Sequence, residues 1–92
     1  MTDSLRPKEA AAFDYSPYVG GKIRGGGILD FPKADKIWVA DGRIHISVVY
    51  DDLTTRELNY LLSQCSISRE QRSLEITTPH CGTWTIYKPG AM

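Results

Sequence analysis

The sequence predicts an α+β protein: an antiparallel sheet of four or five strands in β-β-α-β-β order, with one main helix packed on one face and an irregular N-terminal arm. Three observations predict it. Asp41-Gly42 separates two β-favouring runs, a helix-capping pattern with an apolar stripe follows them, and two alternating runs close the chain. One helix on an antiparallel sheet is a two-layer arrangement. We therefore expect an N-terminal arm at residues 1–35 and a single ββαββ domain at residues 36–92.

The arm has one helical signal and one glycine-rich stretch. Proline suits the first position of a helix and alanine propagates it, so residues 7–12 predict one or two helical turns. Residues 20–27 contain five glycines, which are costly to order, and predict a flexible loop or linker. Residues 28–31 predict a short strand that Pro32 ends.

Asp41-Gly42 predicts a tight hairpin, because a type I′ turn needs positive φ at both of its central positions. A two-residue loop fixes the register and places Trp38 opposite His45. Directly opposed residues share a sheet face. The apolar face is then formed by Ile37, Val39, Ile44, Ile46 and Val48, and the polar face by Lys36, Trp38, Arg43, His45 and Ser47.

The main helix is predicted from Thr54 to Cys65. Thr54 and Glu57 have the spacing of a capping box, and Leu53 and Leu58 that of a hydrophobic staple. An apolar stripe at i, i+3, i+4 and i+7 follows, formed by Leu58, Leu61, Leu62 and Cys65.

A second hairpin is predicted to close the chain, with residues 79–81 as its loop. Pairing Ile76 with Trp84 and Leu74 with Ile86 places these four on one face, whereas a shift of one residue would mix threonine with isoleucine. The opposite face carries Glu75, Thr77, Thr83, Thr85 and Tyr87. The expected core is Ile37, Val39, Ile44, Ile46, Val48, Leu58, Leu61, Leu62, Leu74, Ile76, Trp84 and Ile86.

Composition excludes several classes of protein. The 92 residues carry 11 basic and 11 acidic side chains, which argues against a polybasic nucleic-acid tail and against an acidic mimic of nucleic acid. No apolar run is long enough to span a membrane. The first residues have no apolar stretch of the signal-peptide type, so the expected location is the cytoplasm, with Cys65 and Cys81 as free thiols.

The histidines and cysteines predict neither a metal site nor a nucleophile. A zinc site usually includes a Cys-x2-Cys pair, and none is present around Cys65 or Cys81. A catalytic Cys81 would need an oriented base, and the adjacent His80 in a tight turn is poorly placed for that. We therefore expect no enzyme activity, no metal and no cofactor.

The glycine-rich residues 20–27 admit three interpretations. Glycines together with Lys22 and Arg24 could cradle a phosphate, but the spacing matches no nucleotide-binding motif. The stretch could also be a basic arm that orders on a partner. A plain linker is the interpretation that the sequence favours.

The polar sheet face is the candidate binding surface. An aromatic side chain beside arginine is typical of interface hot spots, and the predicted partner-binding residues are Lys22, Arg24, Lys36, Trp38, Arg43, His45 and Tyr87. The alternative is that the N-terminal part folds back and covers Trp38 with Phe13, Tyr15, Tyr18, Ile28 and Phe31.

Two functions remain. The first is a non-enzymatic protein that binds a protein or ribonucleoprotein complex and blocks it sterically, as inhibitors of host machinery from phages and mobile elements do, among them anti-CRISPR and immunity proteins. The second is binding of RNA or single-stranded nucleic acid through the basic and aromatic face, against which the zero net charge argues. An unpaired outer strand also offers a surface for a homodimer. No membrane partner is expected.

Overall fold

The computed structural model describes residues 3–25, 32–80 and 82–90, and these residues form two antiparallel sheets instead of the predicted α+β arrangement. The elements are β1 (Asp3–Leu5), α1 (Pro7–Ala12), β2 (Ile23–Arg24), β3 (Lys33–Ala40), β4 (Arg43–Val49), β5 (Thr55–Leu61), β6 (Ser66–Arg69), β7 (Ser73–Thr78) and β8 (Gly82–Tyr87). One sheet has the order β1-β6-β7-β8-β2 and the other β3-β4-β5. Single 3-10 turns lie at Ser16–Tyr18 and Leu62–Gln64. The strand predicted at residues 28–31 lies outside the described residues.

The main helix predicted from Thr54 to Cys65 is wrong. Residues 55–61 form β5, which pairs along its whole length with β4, and a 3-10 turn follows it. Leu58, Tyr60 and Leu62 also fit a period of two, and this period places Leu58 opposite Ile46 in the core. A short apolar run fits both periods, and cross-strand burial outweighs local helix propensity here. A strand at β6 was also missed, because its residues are mostly polar.

Leu53 and Thr54, which suggested the start of a helix, lie in a turn between β4 and β5. One Asp52 carboxylate oxygen accepts hydrogen bonds from the Thr54 backbone N–H at 3.0 Å and from the Thr54 hydroxyl at 2.6 Å. The Tyr50 N–H donates to the Thr54 carbonyl at 2.9 Å, and Leu53 has a positive φ of 69°. Asp and Thr side chains that bond the nearby backbone favour turns as much as helix caps.

The first hairpin is confirmed. Asp41 and Gly42 have φ of 54° and 71°, as a type I′ turn requires. Trp38 pairs with His45 and Val39 with Ile44, in the predicted register. A bulge between Ala34 and Lys36 interrupts the pairing near the start of β3.

The second hairpin is also confirmed. Ile76 pairs with Trp84 and Leu74 with Ile86, and all four side chains are buried. The Thr78 hydroxyl donates to the Gly82 carbonyl at 3.0 Å and closes the loop. Cys81, in that loop, lies outside the described residues.

The N-terminal segment contributes two strands to the five-stranded sheet. The predicted short helix is confirmed as α1, β1 pairs with β6, and β2 pairs with β8. The Gly20 N–H donates to the Ala34 carbonyl at 2.7 Å and the Ala34 N–H to the Gly21 carbonyl at 2.8 Å, so this segment joins the two sheets at one corner. A Cβ on Gly21 would lie 1.6 Å from the Tyr87 carbonyl oxygen, and therefore only glycine allows this approach.

One core lies between the sheets. Most of the predicted core is buried, together with residues that were not predicted: Ala10, Tyr15, Tyr18, Ile23, Ala34 and Ile67. Ile37 and Val39 are half-buried. Leu61 was predicted for the core as part of the helix. It pairs with Arg43, and both side chains lie on the side of the sheet that faces away from the core. The Trp84 indole N–H donates to the Tyr60 hydroxyl at 2.9 Å and so connects β8 with β5 across the core.

Candidate functional site

The side of the three-stranded sheet that faces away from the core carries four cross-strand rows of side chains: the row Lys33, Val49 and Thr55 lies before the bulge in β3, and the other three lie after it. Alternation along each strand turns Ile44, Ile46 and Leu58 inward and their neighbours outward. We call the surface formed by the three rows after the bulge the outer face, and it consists of the rows Lys36, Ser47 and Glu57; Trp38, His45 and Asn59; and Ala40, Arg43 and Leu61. The hairpin register therefore determines which side chains share this surface.

An aromatic pair occupies the middle row. The Trp38 and His45 rings are stacked, with centroids 5.0 Å apart and planes only 7° from parallel. Trp38 is 36% exposed, and among the described large apolar side chains it is one of the two that are exposed, the other being Leu53. Of the five residues considered as a cover for Trp38, Tyr15 and Tyr18 are buried in the core instead, and Ile28 and Phe31 lie outside the described residues. Trp38 is the more exposed member of the pair, since the His45 side chain is only 18% exposed.

Polar contacts connect the rest of the outer face. The Arg43 guanidinium donates to the Asn59 carbonyl oxygen at 3.2 Å, and the Asn59 amide donates to Glu57 at 3.4 Å. His45 Nδ1 lies 3.5 Å from the same Glu57 oxygen. Contacts between exposed groups of this kind contribute little to stability. They connect His45 with Glu57 and place both signs of charge on one surface.

A cleft of about 230 Å³ borders the outer face. Arg43, Asn59 and Leu61 line one side of it, and the turn between β7 and β8 lines the other with Thr78, Pro79 and His80. Pockets that enclose small molecules usually measure roughly 300–1,000 Å³. The cleft is therefore better suited to receive one side chain of a macromolecule than to enclose a whole ligand.

The structure brings together four of the seven predicted site residues. Lys36, Trp38, Arg43 and His45 share the outer face. Arg24 and Tyr87 belong to the five-stranded sheet, where their neighbours Ile23 and Ile86 are buried, and Lys22 directly precedes β2. These three residues do not join the aromatic pair.

Sequence reasoning missed Glu57, Asn59 and Leu61 as members of the outer face, because it assigned them to a helix. The signal that could have placed them is the alternation of Leu58, Tyr60 and Leu62, which marks every second residue of this segment as inward. With that period, Glu57 and Asn59 belong beside His45.

The described titratable groups form no metal cluster: within residues 3–25, 32–80 and 82–90, no three His, Cys, Asp or Glu side chains come together. Cys65 is a free thiol, half-buried, and burial raises its pKa, which lowers the fraction present as reactive thiolate. His80 is exposed in the turn after β7.

Comparison of the chain with protein-family models, with curated proteins and with solved structures found no match. Across the part of the chain that the structure describes, no helix has the length and apolar character needed to span a membrane; α1 has six residues.

Proposed function

We propose that this protein is a non-catalytic binding protein that acts by occupying the surface of a protein partner through its outer face. The observation that carries the proposal is the exposed Trp38 indole stacked on His45. The other tryptophan, Trp84, is buried in the core and only 2% exposed, whereas Trp38 lies at the surface.

The stacked pair has the properties of an interface anchor. Tryptophan is enriched among the side chains whose truncation costs about 2 kcal/mol or more of binding free energy. Stacking on His45 restricts the Trp38 ring before any partner arrives, which reduces the entropy lost on binding. The partner surface that fits has an apolar pocket for the indole and a polar rim for Lys36 and Arg43.

The charge pattern favours a protein over a nucleic acid. Glu57 lies within contact distance of His45, so the outer face carries a carboxylate beside its aromatic pair. A carboxylate at this place repels a phosphate backbone. Phosphate neutralisation usually dominates nucleic-acid affinity, and the chain has no net charge. Mixed charges instead suit electrostatic complementarity between two protein surfaces.

The size of the outer face requires that a partner extend beyond it. With strands about 4.8 Å apart and outward residues about 6.8 Å apart, the nine positions span roughly 10 by 14 Å. A standard interface buries about 800 Å² on each partner. A bound protein would therefore also contact the cleft beside Arg43, and the mechanism is steric exclusion of other molecules from the covered surface.

Affinity capture with matched variants tests the proposal. The wild-type protein and the Trp38→Ala and Leu53→Ala variants are each used as bait, and captured proteins are identified by mass spectrometry. Leu53 is the matched control, since it is an exposed apolar side chain on a different surface, the β4–β5 turn. We expect one partner to be retained by wild type and Leu53→Ala but to bind Trp38→Ala about 30-fold more weakly.

A second readout keeps the two functional classes apart. Intrinsic fluorescence should shift to the blue on binding because Trp38 loses water, and the shift should be absent in Trp38→Ala. Equal binding by wild type and Trp38→Ala would refute the assigned surface. Tight binding of single-stranded RNA or DNA with a steep salt dependence would instead favour the nucleic-acid function.

A further inference from the structure

Three lysines line a second cleft, at the corner where the two sheets join. Its volume is about 250 Å³, and the described residues that line it are Gly20, Gly21, Lys22, Lys33, Lys88, Pro89 and Gly90. Lys22 precedes β2, Lys33 begins β3 and Lys88 follows β8. The cleft therefore depends on three chain segments that are far apart in sequence.

Backbone pairing brings these lysines together. Lys22 and Lys33 face each other across an antiparallel bridge. The Lys22 carbonyl accepts a hydrogen bond from the Tyr87 N–H at 2.8 Å, which places the next residue, Lys88, beside the bridge. Gly21 permits this approach, since any Cβ there would overlap the Tyr87 carbonyl. Backbone pairing thus sets the positions of these three residues in the chain's fold.

The bridge places two like-charged residues directly opposite each other. Like charges on directly opposed residues of neighbouring strands repel each other, and Lys22 and Lys33 are such a pair. The described lining of the cleft contains no carboxylate to offset them. The Lys88 ammonium lies 5.5 Å from the centroid of the buried Tyr18 ring, a cation–π contact at the edge of the core.

We propose that the lysine cleft binds the diphosphate group of a small phosphorylated molecule. A lysine binds phosphate as a point charge. A single phosphate monoester carries about −1.5 to −2 at neutral pH, so three ammonium groups match a diphosphate better than one phosphate. A cleft of about 250 Å³ seats the phosphates and leaves the rest of the molecule outside. This site is separate from the outer face and does not rest on the function proposed for it.

Inorganic pyrophosphate is the probe that tests the site. Its dissociation constant is measured by calorimetry and its effect on the melting temperature by thermal unfolding, for wild type, for the double variant Lys22→Gln/Lys33→Gln and for Lys8→Gln. Lys8 is the matched control because it is an exposed lysine on α1, outside the cleft. We expect pyrophosphate to raise the melting temperature of wild type and Lys8→Gln, and the double variant to bind at least tenfold more weakly.

The melting temperatures without pyrophosphate separate a binding role from a structural one. Removal of the Lys22–Lys33 repulsion should leave the double variant at least as stable as wild type, whereas lysines that merely support the fold would make it less stable. Trp38→Ala should bind pyrophosphate as wild type does.

Three outcomes would overturn the assignment. The first is no binding of pyrophosphate by wild type beyond that seen with sodium chloride of equal ionic strength. The second is the same rise in melting temperature in the double variant, which shows a general anion effect. The third is tighter binding of a single-stranded oligonucleotide than of pyrophosphate through these lysines, which assigns the cleft to a polymer backbone.

Discussion

Replacing Tyr60 with Phe removes the acceptor of a hydrogen bond that crosses the core. The Trp84 indole donates to the Tyr60 hydroxyl at 2.9 Å, and Trp84 is only 2% exposed. Phenylalanine keeps the ring but leaves the indole N–H without this partner. A buried donor that loses its acceptor costs about 1–3 kcal/mol. For a domain of this length, 1 kcal/mol corresponds to about 4–8 °C, so we expect the melting temperature to fall by at least about 4 °C.

Urea-induced unfolding, followed by tryptophan fluorescence, measures the change in the free energy of unfolding. Tyr87→Phe is the matched control: Tyr87 lies on β8 as Trp84 does, and its hydroxyl makes no hydrogen bond within the described residues. We expect the control to change stability by less than about 0.5 kcal/mol. If Tyr60→Phe were as stable as Tyr87→Phe, the two sheets would not be coupled through this bond, and the inference drawn from the geometry would be refuted.

Three further variants test the backbone and the core. Gly21→Ala places a Cβ 1.6 Å from the Tyr87 carbonyl oxygen and should lower the free energy of unfolding, measured with urea, by about 3 kcal/mol. Gly42→Ala should lower it by only about 1 kcal/mol, because Gly42 has a positive φ of 71° but no atom near the added Cβ. Leu53→Gly should raise the free energy of unfolding by about 0.5–1 kcal/mol, because Leu53 has a positive φ of 69° and its side chain is 81% exposed. An unchanged or lower urea midpoint of unfolding would contradict this. Burial raises the pKa of Tyr15 from 10.0 to about 12, so the folded state favours the neutral phenol. The stability that the neutral Tyr15 contributes is therefore present below pH 10 and lost between pH 10 and 12. Tyr15→Phe should flatten this alkaline decline; an equally steep decline in the variant would show that another group causes it.

The two hairpins could be read from the sequence because their determinants are local. Asp41-Gly42 has the backbone freedom that a two-residue turn needs, and the loop length then sets every pair of the first hairpin. In the second hairpin, the alternation around Trp84 allows one register that keeps all large apolar side chains on one face. Five members of the outer face, Lys36, Trp38, Arg43, His45 and Ser47, followed directly from the register of the first hairpin.

The helix error shows where local signals are insufficient. Thr54 and Glu57 fit a capping box, yet Asp52 bonds the Thr54 backbone and hydroxyl and forms a turn instead. Leu58 satisfies a helical stripe and a strand alternation equally well. What decides between them is the free edge of β4, which provides seven paired residues and a buried place opposite Ile46.

Residues close together in the chain set the two hairpin registers, the short N-terminal helix and the alternation that turns Trp38 and His45 away from the core, and these features could therefore be predicted without the fold. Three other features emerge only in the folded protein: residues 55–61 pair as a strand beside β4, Glu57 and Asn59 join His45, and Lys22, Lys33 and Lys88 meet at one corner. These outcomes depend on hydrogen bonds and burial between segments distant in sequence, whose free energy exceeds the local preferences of the segments themselves.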